Sequence, residues 1–364
     1  MNDELPELGK LPPEVFEEVI YRNIGRRREE VVVPPRSGVD FGVIELDEKA
    51  IIVKTDPVFI VPEYGWDRSS WFAVHILASD VAVSGSPPMY AAIDLNLPKE
   101  MKKQEFTEMW KGISDECDRL GISIVAGHTG KYEGTSYPMI GGMTVISVAP
   151  RDGYVTTQMA EPGDVVIMTK GPAIEAAGII AAMFPDVIER NYGKEFAQRA
   201  SKIFYMQSVV RDAMALSKLG LRKAVTSMHD ATEYGVWGAL NDISEACGHG
   251  IEIYENRLFF NDDVKKIIAL FSKLTGEGAD LYSYISEGTM IGTVKGEKAE
   301  QAVRVLQEEG IKAGVIGKVV DEGGVTLRRV DGSVQTVKRP AQDPFWPLFF
   351  KASELFKNDM DHKP

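Results

Sequence analysis

Only two cysteines, Cys117 and Cys247, occur in the 364 residues. They are too few for a disulfide framework or a four-thiolate zinc site, and they fit a reducing, intracellular setting. Long apolar runs are also missing: no uncharged stretch reaches the roughly 18 residues that a membrane-spanning helix needs. Residues 1–10 lack the basic head and apolar core of a secretion signal. The expectation is a soluble cytoplasmic protein with no membrane partner. Positive charge is scarce too, with 41 Lys plus Arg against 54 Asp plus Glu and a net charge of -13. That balance argues against non-specific nucleic-acid binding but leaves a local phosphate site open.

The length exceeds one typical domain, and the strand and helix signals mix with hairpins, which predicts two α+β domains. A turn-rich stretch from Pro150 to Gly163 separates them. The expected bounds are 1–155 and 156–330, with a tail at 331–364 whose cluster Phe345 to Phe350 is too apolar to stay solvated. That tail docks on the body or on a partner subunit.

The chain is organised around Ser69 to Pro98. Ser69 and Ser70 are candidate caps for an apolar helix from Trp71 to Val83, which Gly85, Pro87 and Pro88 end. Asp80 falls in its last turns. A lone carboxylate is costly to bury there, so Asp80 needs a cation, a donor or water. Met89 to Leu97 then alternates as a strand.

Upstream, Gly38 to Ile44 and Ala50 to Asp56 read as a hairpin that brings Asp40 to the same end as Thr55 and Asp56. With Asp80 this gathers carboxylates and a hydroxyl, the hard oxygens that Mg²⁺ takes. Taken singly, Asp56-Pro57 reads rather as a turn and Asp40 as a loop end. The basic triplet Arg26 to Arg28 reads as a solvated turn before phosphate contact.

Downstream, helices are expected over Lys99–Leu120, Glu175–Met183, Gln198–Leu219, Trp237–Cys247, Val264–Lys273 and Ala299–Gly310. A strand Ile122–Val125 leads into a small-residue turn, Ala126 to Gly130, that carries His128 and Thr129. Such a turn lets a phosphate approach the backbone. Asp230 and Thr232 stand at the mouth of the helix starting at Trp237, where capping alone can account for the acid.

Several segments together resemble the AIR synthase-related (PurM-like) superfamily, and its hydrogenase maturation branch, HypE, most closely. Gly38 to Ile44 is similar to the family's G-D-D-A-A-V-I, Thr55-Asp56 to its strand-end T-D, and Ala78 to Pro88 to its N-L-S-D-L-A-A-M-G-A-x-P. Met228 to Thr232 followed by Ala239 to Ala246 resembles HypE's M-R-D-x-T and L-N-E-I-A-E-A. The resemblance implies an N-terminal domain forming a barrel across a homodimer, and an α/β C-terminal domain.

It further implies Mg-ATP between them. Asp40, Asp56, Asp80 and Asp230 would hold metal, with Asp56 and Asp80 catalytic. Asp40, Thr55, His128, Thr129, Asp230 and Thr232 would contact the nucleotide. The implied reaction is phosphorylation of a carbonyl or amide oxygen on a small-molecule or protein-borne substrate, in hydrogenase or metallocofactor maturation with its maturation factors as partners. HypE's terminal cysteine has no counterpart, His128 replaces an Asp, and Glu233 replaces an Arg. Two alternatives stay open: a small-molecule kinase like thiamine monophosphate kinase, and a catalytically silent nucleotide-binding scaffold.

Overall fold

The computed structural model describes residue 11 and residues 13–357. The sequence marks Pro12 to Tyr21 as a short amphipathic helix candidate, and helical turns run from Pro13 to Asn23. Pro12, its expected first residue, lies outside the described residues.

The first half holds β1 (Val31–Val33), β2 (Gly42–Leu46), β3 (Lys49–Phe59), β4 (Tyr90–Leu97), β5 (Ser123–Lys131) and β6 (Met139–Pro150). Their order across the sheet is β1-β2-β3-β6-β4-β5. The predicted hairpin is present, β2 pairing antiparallel with β3. Along β3, Ala50, Ile52 and Val58 are buried. Strand alternation therefore assigns even-numbered positions to the inner face and odd-numbered ones to the outer. Helices Trp66–Ala82 and Lys103–Leu120 cover the inner face and share its apolar core.

Two local expectations fail here for identifiable reasons. The apolar helix starts at Trp66, a turn earlier than expected, so Ser69 and Ser70 lie inside it. Their hydroxyls donate to the carbonyls of Val61 and Met109 instead of capping. The expected turn at Ala126 to Gly130 is extended strand within β5, paired in parallel with β4. Strand pairing on one side suffices to hold these small residues extended at an edge.

The second half contains β7 (Val165–Thr169), β8 (Val225–Ala231), β9 (Gly250–Tyr254), β10 (Thr289–Val294), β11 (Ala313–Val320), β12 (Gly324–Arg328) and β13 (Val334–Val337). Their order is β13-β12-β9-β11-β7-β10-β8. The β12–β13 hairpin runs past residue 330, so part of the expected tail belongs to this sheet. The single helix expected over Gln198–Leu219 is broken into Lys194–Ala200, a 3-10 turn at Ile203–Met206, and Val210–Ser217. Tertiary partners claim its backbone at the break: the Val209 N–H donates to Ser79 Oγ, and the Ser208 carbonyl accepts from Lys170.

The aromatic cluster forms the helix Phe345–Leu355, which packs on this chain's own body against Phe184. Phe345 is 1% exposed. Truncating it to alanine is expected to cost about 3–5 kcal/mol, read as a lower urea midpoint with unchanged slope.

Candidate functional site

The site grows from the alternation of β3. Lys54 and Asp56 point inward while Thr55 points outward, where its hydroxyl meets that of Thr144 at 2.8 Å. Inward, the Lys54 ammonium lies 3.0 Å from Asp80 Oδ2 and 3.2 Å from Asp56 Oδ2. Asp80 is buried on an apolar helix, so this contact answers the need for a cation that its position creates. Burial works against the Lys54 charge, but Asp80, Asp56 and Asp40 outweigh it and raise its pKa far above the ordinary lysine range. Burial pushes the Asp80 carboxyl upward; Lys54 opposes this, and Asp40, Asp56 and Asp230 add to it. We assign the ionised pair, because a protonated Asp80 would strand the ammonium.

The C-terminal half supplies the other wall. Asp230 sits in β8, fully buried, and does not cap the following helix. One of its oxygens accepts from the Gly288 N–H at 3.3 Å, and the other is buried with no hydrogen-bond partner. Gly288 has φ +97, and a Cβ there would stand 2.2 Å from the Met206 carbonyl oxygen, so only glycine presents that N–H. Glu287 and Glu175 are buried beside it, and the Glu287 N–H donates to Glu175. Burial raises Asp230 to about 6, with the neighbouring Glu287 opposing and Asp40 adding. Glu287 is pushed up as well, by burial and then by Asp230. Two carboxyls buried near each other disfavour a second negative charge, which is why both are pushed upward.

His229, the neighbour of Asp230, ties the halves together. Its Nδ1 is 2.6 Å from Asp40 Oδ2 and its Nε2 is 3.3 Å from Asp242 Oδ2. Arg339 completes the chain at 2.7 Å from Asp242. Burial opposes the imidazolium, yet Asp40 and Asp242 raise His229 to about 10. Asp343 anchors the docked tail nearby, accepting from the N–H groups of Tyr234, Ile285 and Phe345.

The structure thus draws Asp40, Asp56, Asp80 and Asp230 into one electrostatic group. Thr232 follows directly after β8, half-buried. His128 and Thr129 are not gathered with these acids. They sit on the exposed edge strand β5, where His128 bonds Tyr132 at 2.7 Å. In register, β6 and β4 intervene between Pro57 and His128, a span of about 14 Å at ordinary strand spacing. Two open surface grooves, one lined by Val303, Arg304 and Val315 and one by Glu45, Arg151 and Arg222, share no residue with the cluster.

The expected four-acid magnesium seat is not formed. Carboxylates are the right donors for Mg²⁺. However, Lys54 occupies the pair Asp56 and Asp80, and His229 holds Asp40. Among the described residues no group of three or more His, Cys, Asp or Glu side chains is placed to hold a metal ion. As built, the set does not fit a resident ion. Lys54, His229, Asp242, Glu287 and Arg339 were missed from the sequence. For Lys54 the signal was there, two residues before Asp56 on an alternating strand.

Comparisons with known proteins bear on this arrangement. A putative hydrogenase expression/formation protein of Methanocaldococcus jannaschii is 24% identical over 341 residues, 92% of this chain and 96% of that one. Carbamoyl dehydratase HypE of Escherichia coli is 26% identical over 278 residues, 73% and 75% of the two chains. A solved hydrogenase maturation protein HypE in complex with ATP superposes with a TM-score of 0.64 at 20% identity, covering 91% of this chain and 95% of that one. The family models for the AIR synthase related protein match at residues 38–148 for its N-terminal domain and 161–330 for its C-terminal domain. The chain belongs to the AIR synthase related family and carries its two-domain fold.

Proposed function

We propose that the protein is an ATP-using enzyme of HypE-like type that phosphorylates a carbonyl or amide oxygen, in hydrogenase or metallocofactor maturation. The observation that carries this reading is the ion-paired group of half-buried Lys54 and Asp56 with buried Asp80, facing the buried Asp230 and Glu287 across the junction of the two family domains. Phosphoryl transfer asks mainly for in-line positioning and charge neutralisation. The Lys54 ammonium, held between two carboxylates, supplies a fixed positive charge without reorganising. The substrate oxygen attacks the γ-phosphorus, ADP departs, and the phosphorylated oxygen becomes the leaving group. The relatives support the reading through their names, and the ATP-bound HypE through its shared fold.

Asp80→Asn is expected to reduce ADP release at least a hundredfold while leaving a folded protein. Calorimetric ATP titration and ADP release on the same samples check this, and wild-type turnover in the variant would remove Asp80 from the site. The internal pairing of Asp40, Asp56 and Asp80 favours one other reading, a nucleotide-binding scaffold without turnover. Tight ATP binding with no ADP in the presence of partners would select it.

We further infer a homodimer formed through the outer face of the first sheet. Thr55, Tyr90 and Val148 are exposed there beside the uncovered edge β5. Sedimentation analysis tests this inference.

A further inference from the structure

From its position on β3, the Lys54 side chain reaches both Asp56 and Asp80. Strand alternation aims it at the same face as Asp56, and the helix Trp66–Ala82 brings Asp80 against that face. The contacts are 3.0 and 3.2 Å, with only 21% of the lysine side chain and 8% of that of Asp80 exposed. An ammonium so enclosed is weakly screened by solvent. A divalent ion bridging the same two carboxylates would have to sit beside it and would be repelled. Meanwhile the buried carboxylate oxygens without a hydrogen-bond partner in the cluster, on Asp230 and Glu287, belong to the opposite wall and not to this pair.

We propose that Lys54 is the resident counter-cation of the Asp56–Asp80 pair, excludes a divalent metal ion from it, and faces the nucleotide phosphates in that ion's place. The proposal rests on the reading that nucleotide binds at this cluster, and it deepens that reading by naming the charge that meets the phosphates. Lys54 thereby fixes a specificity: the nucleotide enters with one divalent ion fewer than four free carboxylates would recruit.

The test uses Mn²⁺ alone as probe, without nucleotide, so that the metal result and the nucleotide result can fail separately. Calorimetry and the electron paramagnetic resonance of free Mn²⁺ count bound ions for the wild type, Asp56→Asn, Lys54→Met and Lys54→Met/Asp56→Asn. The wild type and Asp56→Asn are expected to bind Mn²⁺ indistinguishably. Lys54→Met is expected to gain one site at least tenfold tighter than any the wild type shows at these acids, and to lose it in the double variant. Mn²⁺ should also raise the melting temperature of Lys54→Met by several degrees and leave the wild type unmoved.

A wild-type Mn²⁺ site that disappears in Asp56→Asn would overturn the proposal, as would Lys54→Met folding without gaining a site. If Lys54→Met does not fold, the wild type against Asp56→Asn still decides. Calorimetric ATP titration on the wild type is run separately. Absence of nucleotide binding there would overturn the phosphate-facing role while leaving the metal exclusion standing.

Discussion

Lys170→Met is expected to lower the free energy of unfolding by about 3–5 kcal/mol, the cost of removing one partner from a buried ion pair. Lys170 directly follows β7 with φ +59, and its ammonium donates to the Ser208 carbonyl at 2.7 Å and to Asp212 Oδ2 at 2.9 Å. The Asp212 side chain is 2% exposed, and its other oxygen is buried without a hydrogen-bond partner. Without the ammonium, a carboxylate would be left nearly alone in the interior. Urea denaturation of Lys170→Met and of Lys170→Met/Asp212→Leu separates the causes. The double variant should recover much of the loss, because the stranded charge has gone with its partner. A single variant within 1 kcal/mol of the wild type would show that the pair is not what holds Ser208 and the broken helix in place.

The second large effect is a pH dependence centred on His229. Its folded-state pKa is raised to about 10 against an ordinary value of 6.5, with burial opposing and Asp40 and Asp242 prevailing. A raised folded value means that the stabilisation is fully present below the unfolded pKa and is lost as pH rises toward about 10. At 1.36 kcal/mol per pH unit the contribution is on the order of 5 kcal/mol. Asp242 runs the other way. Burial alone would raise it, but His229 and Arg339 lower it to about 2, so its contribution holds above the ordinary aspartate value and fades as pH falls through about 2.

His229→Gln keeps much of the shape and loses the charge. The stability difference between wild type and variant should form a plateau from roughly pH 4 to 6.5 and shrink steadily toward pH 10. A difference that stays flat from pH 6 to 10 would mean that the imidazole is not charged in the fold.

How much of this was legible in the sequence depended on whether local pattern or tertiary contact set the outcome. Asp80 was readable because an apolar helix tolerates no idle carboxylate, and the alternation of Met89 to Leu97 gave β4 directly. The run Ala126 to Gly130 was misread because small residues and glycines mark turns unless a neighbouring strand holds them extended, and that neighbour was not visible locally. Lys54 resembled an ordinary solvated lysine. Its partner Asp80 is 26 positions further along the chain, and only the packing of helix on sheet unites them. His229 was hidden for a similar reason, because Asp40 lies 189 positions away. The family resemblance reached the acids but not the cations that accompany them.

The docked helix Phe345–Leu355 changes what counts as the minimal folding unit. Phe345 completes the cluster that buries Phe184 and Phe271, and Asp343 pins the same segment to Tyr234 and Ile285. The contacts of Asp343 reach back 58 residues to Ile285 and 109 to Tyr234, so the cover closes late, after a long loop has formed. A fragment cut at residue 330, where the family match ends, would leave Phe184 and Phe271 bare on a half-finished surface. During synthesis the same surface stays uncovered until the segment Phe345–Leu355 has left the ribosome, so the second half passes through a stage with an exposed aromatic patch.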